Sequence, residues 1–263
     1  MPQLARPGAT LRYELWGESG PWATLVNGHT RPLNDFRMLG RHLQEQGFRI
    51  LALDNRGAGE TVVDTAFTLA DMVDDVVALW DEVGAATTCL LGVSMGGFIA
   101  QQLALQHPRR VERLALVSTA ASQAWISKDD TPWSTEVEAV LAKLTPYFTD
   151  AFRERNPMLV RSMAKQIAKN VEGGDFSGRA AQQKEAARGF DLRPRLSQLR
   201  CPTLIVHGAE DRVIPVEAAR ELARLVPTSR LEILAAAGHL LLAEKPRELY
   251  ELVSAAFRGE TSS

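Results

Sequence analysis

Two hydrophobic rhythms alternate along the chain. One is a short unbroken apolar run that stops at glycine or a turn residue: WATLVNG (22–28), FRILALDNRG (48–57), TTCLLGVS (87–94), VERLALVST (111–119) and CPTLIVHG (201–208). Such a run predicts a strand covered on both faces, as in a parallel sheet. The other rhythm places apolar residues three and four apart. Phe36, Leu39 and Leu43 do so within residues 34–46, and Met72, Val76, Leu79 and Val83 within residues 68–83. That spacing predicts amphipathic helices, the second one opened by Thr68 and Asp71 in capping-box positions. Residues 96–106, 215–226 and 246–259 read as further helices and 229–238 as a last strand. ATLRYELWG (9–17) alternates instead, as a half-buried antiparallel strand does. Strand–helix–strand repetition predicts an α/β fold, a mostly parallel sheet with helices on both faces.

The rhythm breaks after Thr119. Residues 123–192 hold no convincing buried strand and predict helices over roughly 134–144, 146–153, 156–172 and 177–188, punctuated by Pro132, Pro146, Pro157 and the Gly173-Gly174 pair. The sheet pattern then resumes. The expected organisation is a core of 1–122 and 193–263 interrupted by a helical cap, 123–192.

Composition narrows the function. Thirty basic and 32 acidic side chains leave a net charge of −2, which gives no electrostatic case for nucleic acid. The two cysteines, Cys89 and Cys201, sit in apolar runs as structural thiols, and no metal-type Cys/His spacing occurs. Residues 1–17 have no apolar signal core, and no segment has the ~18 apolar residues that span a bilayer. A cytoplasmic protein that engages no membrane is the expectation.

The chemistry gathers where strands end. GVSMGG (92–97) puts Ser94 between a strand and a helix, with Gly92 and Gly96 giving the room a tight turn needs. The turn lifts the hydroxyl above the sheet edge and aims the Met95 N–H at the same point, at a helix N-terminus. A serine needs a base. Of the five histidines, His42 falls in an exposed helix, His107 at a helix end and His207 in a strand. His239 follows the strand 229–238 directly, in a loop before the last helix. The base needs an acid to hold its tautomer. Asp211, in HGAEDRVIP, lies just beyond the strand 201–208, with Glu210 adjacent as an alternative.

The order Ser94, Asp211, His239 and the stretches LVNGHTRPLNDF, LDNRGAGET, LLGVSMGGFIAQQLALQHPRRVERLALVSTAA, PTLIVHGAEDRVIP and AAAGHLLLAEKP resemble the α/β-hydrolase superfamily with a helical cap, over essentially the whole chain. The resemblance implies a Ser–His–Asp triad and a second oxyanion N–H from the residue after Gly28, which is His29 here, with Thr30 as the alternative. Where the family usually has His before that glycine, this chain has Asn27. Asp54 and Arg56 are expected to tie their loop by ion pairing. Serine at the nucleophile position argues against the dehalogenases and epoxide hydrolases of this fold, which use Asp there.

The activity expected is cleavage of small or medium carboxylic esters through an acyl-enzyme, with no metal or organic cofactor. Alternatives with the same triad are enol-lactones, carrier-bound methyl esters, C–C bond hydrolysis and cofactor-free perhydrolysis; a non-catalytic ligand-binding protein is the alternative of another class. Trp125 and Trp133 of the cap are candidates for the substrate pocket, packing between cap and core being the other reading of each, and Leu240 is a candidate beside His239. Arg153, Arg155, Arg161, Lys165 and Lys169 form either a solvated face or a dock for an acidic acyl carrier protein.

Overall fold

The computed structural model describes residues 2–126 and 131–260. The first half runs β1 (Gln3–Arg6), β2 (Ala9–Trp16), β3 (Trp22–Val26), α1 (Arg37–Glu45), β4 (Arg49–Leu53), β5 (Val62–Val63), α2 (Leu69–Glu82), β6 (Thr88–Val93), α3 (Met95–Gln106) and β7 (Val111–Val117). Four helices follow: α4 (Val137–Leu144), α5 (Asp150–Arg155), α6 (Pro157–Glu172) and α7 (Phe176–Ala186). The sheet resumes with β8 (Thr203–Gly208), α8 (Val216–Leu225), β9 (Ser229–Leu234), α9 (Leu241–Glu244) and α10 (Pro246–Arg258).

Among the described residues the sheet has nine strands in the order β1-β2-β4-β3-β6-β7-β8-β9, with β5 beside β2. From β4 to β9 the pairs are parallel, while β2 meets β1, β4 and β5 antiparallel. The five apolar runs became β3, β4, β6, β7 and β8, and every residue of β3, β6 and β8 is buried. Leu79, Phe98 and Leu222 of α2, α3 and α8 pack one face. Leu39, Leu43, Leu249 and Val253 of α1 and α10 pack the other.

The capping box at Thr68–Asp71 forms as the sequence predicts. The strand predicted over 229–238 stops at Leu234, and Ala236 turns with φ 48°. The ion pair expected between Asp54 and Arg56 does not form. Arg56 grips Asp75 of α2 with two bonds, of 2.6 and 2.9 Å. Asp54, fully buried, takes Arg12 at 3.1 Å and the N–H groups of Leu33 and Glu60. Three donors already satisfy that carboxylate, and the planar guanidinium of Arg56 finds a bidentate partner elsewhere.

Register positions the site. Val26 is level with Gly92, Val93 with Val117, and Val117 with Val206. The loops after β3, β6, β7 and β8 therefore leave from one sheet edge. The connection after β3 leads to β4 on one side, and that after β6 leads to β7 on the other. The crevice between β3 and β6 is the switch point where open α/β sheets bind ligands. Helices α4–α6 share a separate apolar cluster around Leu144, Phe148, Phe152 and Val160.

Candidate active site

Ser94 is the single residue between β6 and α3, at φ 52° and ψ −120°. That backbone is costly for a residue with a side chain and persists only where its surroundings enforce it. Space decides the neighbours. A Cβ on Gly92 would lie 2.4 Å from Gly96 O, and one on Gly96 would lie 2.2 Å from Val26 O. Ser94 N–H donates to Val117 O at 2.9 Å, and Ser94 O accepts the Thr119 hydroxyl at 2.7 Å. Both partners are on or just after β7.

The Ser94 Oγ lies 3.1 Å from His239 Nε2, and His239 Nδ1 lies 2.8 Å from Asp211 Oδ2. His239 and Asp211 are 3% and 6% exposed. With Nδ1–H donating to the carboxylate, a neutral ring has Nε2 free to accept the serine hydroxyl. The other Asp211 oxygen accepts the N–H groups of Val213 and Ile214, at 2.8 and 2.9 Å. Burial raises the Asp211 carboxyl, but His239 and His207 more than offset it and hold the group well below the usual carboxylate range. A hydroxyl, an imidazole and a carboxylate in this sequence can activate the hydroxyl for attack on an electrophile.

His207 stays in its strand, fully buried, and donates from Nε2 to Ile214 O at 2.8 Å. The same nitrogen is 3.3 Å from Asp211 Oδ2, a contact that the strand pattern did not reveal. His42, expected to be exposed, is half-buried and meets Ser254 Oγ of α10 at 3.2 Å. Glu210 is exposed. The cysteines are free thiols, and burial pushes Cys89 up to about 12. Among the described residues no three His, Cys, Asp or Glu side chains gather as a metal site, and no helix is long and apolar enough to cross a membrane.

Ser94 and His239 open on a cavity of about 870 Å³, shared between the sheet edge and helices α4, α6 and α7. Trp133 and Leu240 line it, as do Met95, His29 and Thr30. Trp125 does not: its indole N–H donates to Glu221 of α8 at 2.6 Å, so of its two readings the packing against the core is the one the structure shows. The Met95 N–H is the first of α3 and has no acceptor within the helix. The His29 N–H also meets no protein acceptor among the described residues, whereas the Thr30 N–H is taken by Gln183 Oε1 at 2.6 Å. The His29 ring donates from Nε2 to Ala180 O at 2.8 Å. Burial lowers its pKa; the bond to Ala180 acts against this, and Lys184 and Lys143 add to it. The ring is therefore neutral at neutral pH.

Asn27 braces this loop in place of histidine. Its amide donates to Pro32 O at 2.8 Å and Asp35 Oδ2 at 3.1 Å, and its oxygen accepts the Gly28 N–H at 2.8 Å. Glu244 is a further residue not foreseen. It accepts the Gly238 N–H at 3.0 Å and the Thr149 hydroxyl at 2.8 Å, joining the His239 loop to the segment before α5. The side-chain bonds of Asn27 stay within eight residues of it, whereas Glu244 also reaches Thr149, 95 positions away, a contact no local pattern reveals.

The family described as the alpha/beta hydrolase fold matches residues 25–246. "Putative carbamate hydrolase RutD" of Variovorax paradoxus (strain S110) is 31% identical over 243 residues, which span 87% of this chain and 89% of that one. The enol-lactonase from Burkholderia xenovorans LB400 superposes with a TM-score of 0.84 at 28% identity, covering 98% of this chain and 100% of its own. A thermophilic esterase from Thermogutta terrifontis does so with a TM-score of 0.79 at 26% identity, covering 98% and 96%. Sheet order, the turn at Ser94 and these likenesses agree: the chain belongs to the α/β-hydrolase fold family of hydrolases.

Proposed function

We propose that the protein is a serine hydrolase of carboxylic esters that works through an acyl-enzyme on Ser94. The observation that carries this reading is the relay from Ser94 Oγ through His239 to buried Asp211, opening on the 870 Å³ cavity. Ser94 Oγ attacks the carbonyl carbon while His239 Nε2 takes its proton. The N–H groups of Met95 and His29 hold the oxyanion; His29 fills this role because the Thr30 N–H already has an acceptor. His239 then gives its proton to the leaving alkoxide, and the alcohol departs. Water enters, loses a proton to the same Nε2 and attacks the acyl carbon. Ser94 leaves with the proton back, and the carboxylic acid is released.

In this reading residues 123–192 are a cap that roofs the site, supported by the cavity walls that Trp133, Leu144, Met163 and Phe176 contribute. Part of the basic charge over 153–169 is met within the chain, since Arg153 pairs with Asp150 and Arg161 with Glu138. A free small ester is therefore the proposed substrate in preference to a carrier-bound one. The likeness to an enol-lactonase favours one second reading, a cyclic ester, in which the leaving alkoxide stays tethered to the acyl-enzyme.

A panel of nitrophenyl esters of rising acyl length, with lactones alongside and Ser94→Ala as blank, tests the proposal. Turnover with an acylation burst is expected, falling by at least about 10³-fold in Ser94→Ala. Ordinary ester turnover by Ser94→Ala would overturn it.

A further inference from the structure

Helix α7 is tied to the core through the loops that follow β3 and β4, the first of which borders the crevice beside Ser94. Gln183, fully buried, accepts the Thr30 N–H on Oε1 at 2.6 Å and donates from Nε2 to Arg56 O at 2.7 Å. Ala180 O, one turn earlier, accepts from the His29 ring at 2.8 Å. Arg179 donates to Gly59 O at 3.3 Å. One cap helix thus holds His29, Thr30, Arg56 and Gly59 at once. Both halves of the Gln183 amide act on main-chain groups of the core.

Residues 28–31 form a turn closed by the Arg31 N–H on Gly28 O at 3.2 Å. Thr30 is its third residue and has φ 60°. Positive φ there is the mark of a type II turn, a position that favours glycine and penalises a β-branched side chain. Type I and type II turns differ by a flip of the central peptide, and here that peptide carries the Thr30 N–H. Gln183 Oε1 therefore grips the one group whose rotation would relieve Thr30. The adjacent peptide carries the His29 N–H.

We propose that Gln183 is a positioning residue for the second oxyanion donor: its bond to the Thr30 N–H holds the strained His29–Thr30 turn and so keeps the His29 N–H aimed at a carbonyl on Ser94. The inference rests on the reading of Ser94 as nucleophile and the His29 N–H as oxyanion donor. It also makes cap seating part of the catalytic geometry, because the donor is in register only while α7 is docked.

Gln183→Met keeps the side-chain length and removes both hydrogen bonds. On a nitrophenyl ester kcat is expected to fall at least roughly tenfold, a share of the 10²–10³-fold that outright loss of an oxyanion donor costs. KM should stay within about twofold, and the pH profile of kcat/KM should not move, because His239 and Asp211 are untouched. Thr30→Gly in the Gln183→Met background should restore most of kcat, since glycine holds positive φ unaided. A merely structural role would lower Tm and gain nothing from that rescue. Gln183→Leu replaces the methionine variant if the latter does not fold. Wild-type kcat in Gln183→Met, or no recovery with Thr30→Gly, overturns the inference. Ser94→Ala in parallel separates the two claims: turnover by Ser94→Ala removes the reading underneath, whereas an inactive Ser94→Ala beside an unimpaired Gln183→Met removes this inference alone.

Discussion

At the scale of single residues, the proposed relay depends on Asp211 being charged and held. Its folded carboxyl titrates below the ordinary range. A depressed folded pKa contributes stability that is complete above the ordinary carboxylate value, about 4, and is lost as pH falls through the folded value. Asp211→Asn removes that dependence, so between roughly pH 5 and 3 its Tm should fall less than that of the native protein. The same variant should lower kcat by about 10⁴-fold, because a carboxamide can donate to Nδ1 and favour the wrong tautomer. Unchanged kcat with an unchanged acid limb of stability would count against the relay. Ser94, Asp211 and His239 were legible in the sequence because each follows a strand, where a local rule places functional groups at one sheet edge. Gln183 was not: its partners lie 153 and 127 positions away, and a glutamine in a helix carries no local sign of being buried. The pairing of Arg56 was misread for a related reason. Asp54 is near in sequence, but Asp75 offers two oxygens in the plane of the guanidinium.

At the scale of elements, apolar runs reported their strands well because burial on both faces demands them. Strands β1 and β5 escaped notice: QLAR and VV are too short to show a period, and their pairing with β2 is settled only by the fold. The end of β9 was overrun because AAAG is apolar without favouring any one backbone; the turn at Ala236 comes from the loop that presents His239. The joint between β6 and α3 is the element on which the site turns. Gly96→Ala would push a methyl carbon to 2.2 Å from Val26 O, so α3 must move off β3. Urea unfolding should show a loss of about 1–3 kcal/mol, with the proposed ester turnover falling alongside as the Ser94 turn opens. Native stability and activity in this variant would mean that the turn tolerates what its geometry forbids.

At the scale of the whole molecule, the α/β order and the helical interruption were legible, whereas the seating of the helices was not. The sequence marks the helices of this stretch by their punctuation but does not say which face of each meets the sheet edge. Trp125 shows the consequence: a tryptophan at the start of the insertion suggests a pocket wall, yet its indole reaches Glu221 on the core. The cavity instead takes its apolar walls from Trp133, Phe176 and Leu240, above a polar floor of Ser94 and His239. All of this converges on one claim, that Ser94 is the nucleophile. The most direct test is to treat the protein with a serine-directed phosphonate ester and locate the adduct by peptide mass spectrometry while following residual activity. One adduct per chain is expected, on Ser94, formed in step with loss of ester turnover and absent from Ser94→Ala. An active protein with no adduct, or inactivation with the adduct on another residue, would contradict it.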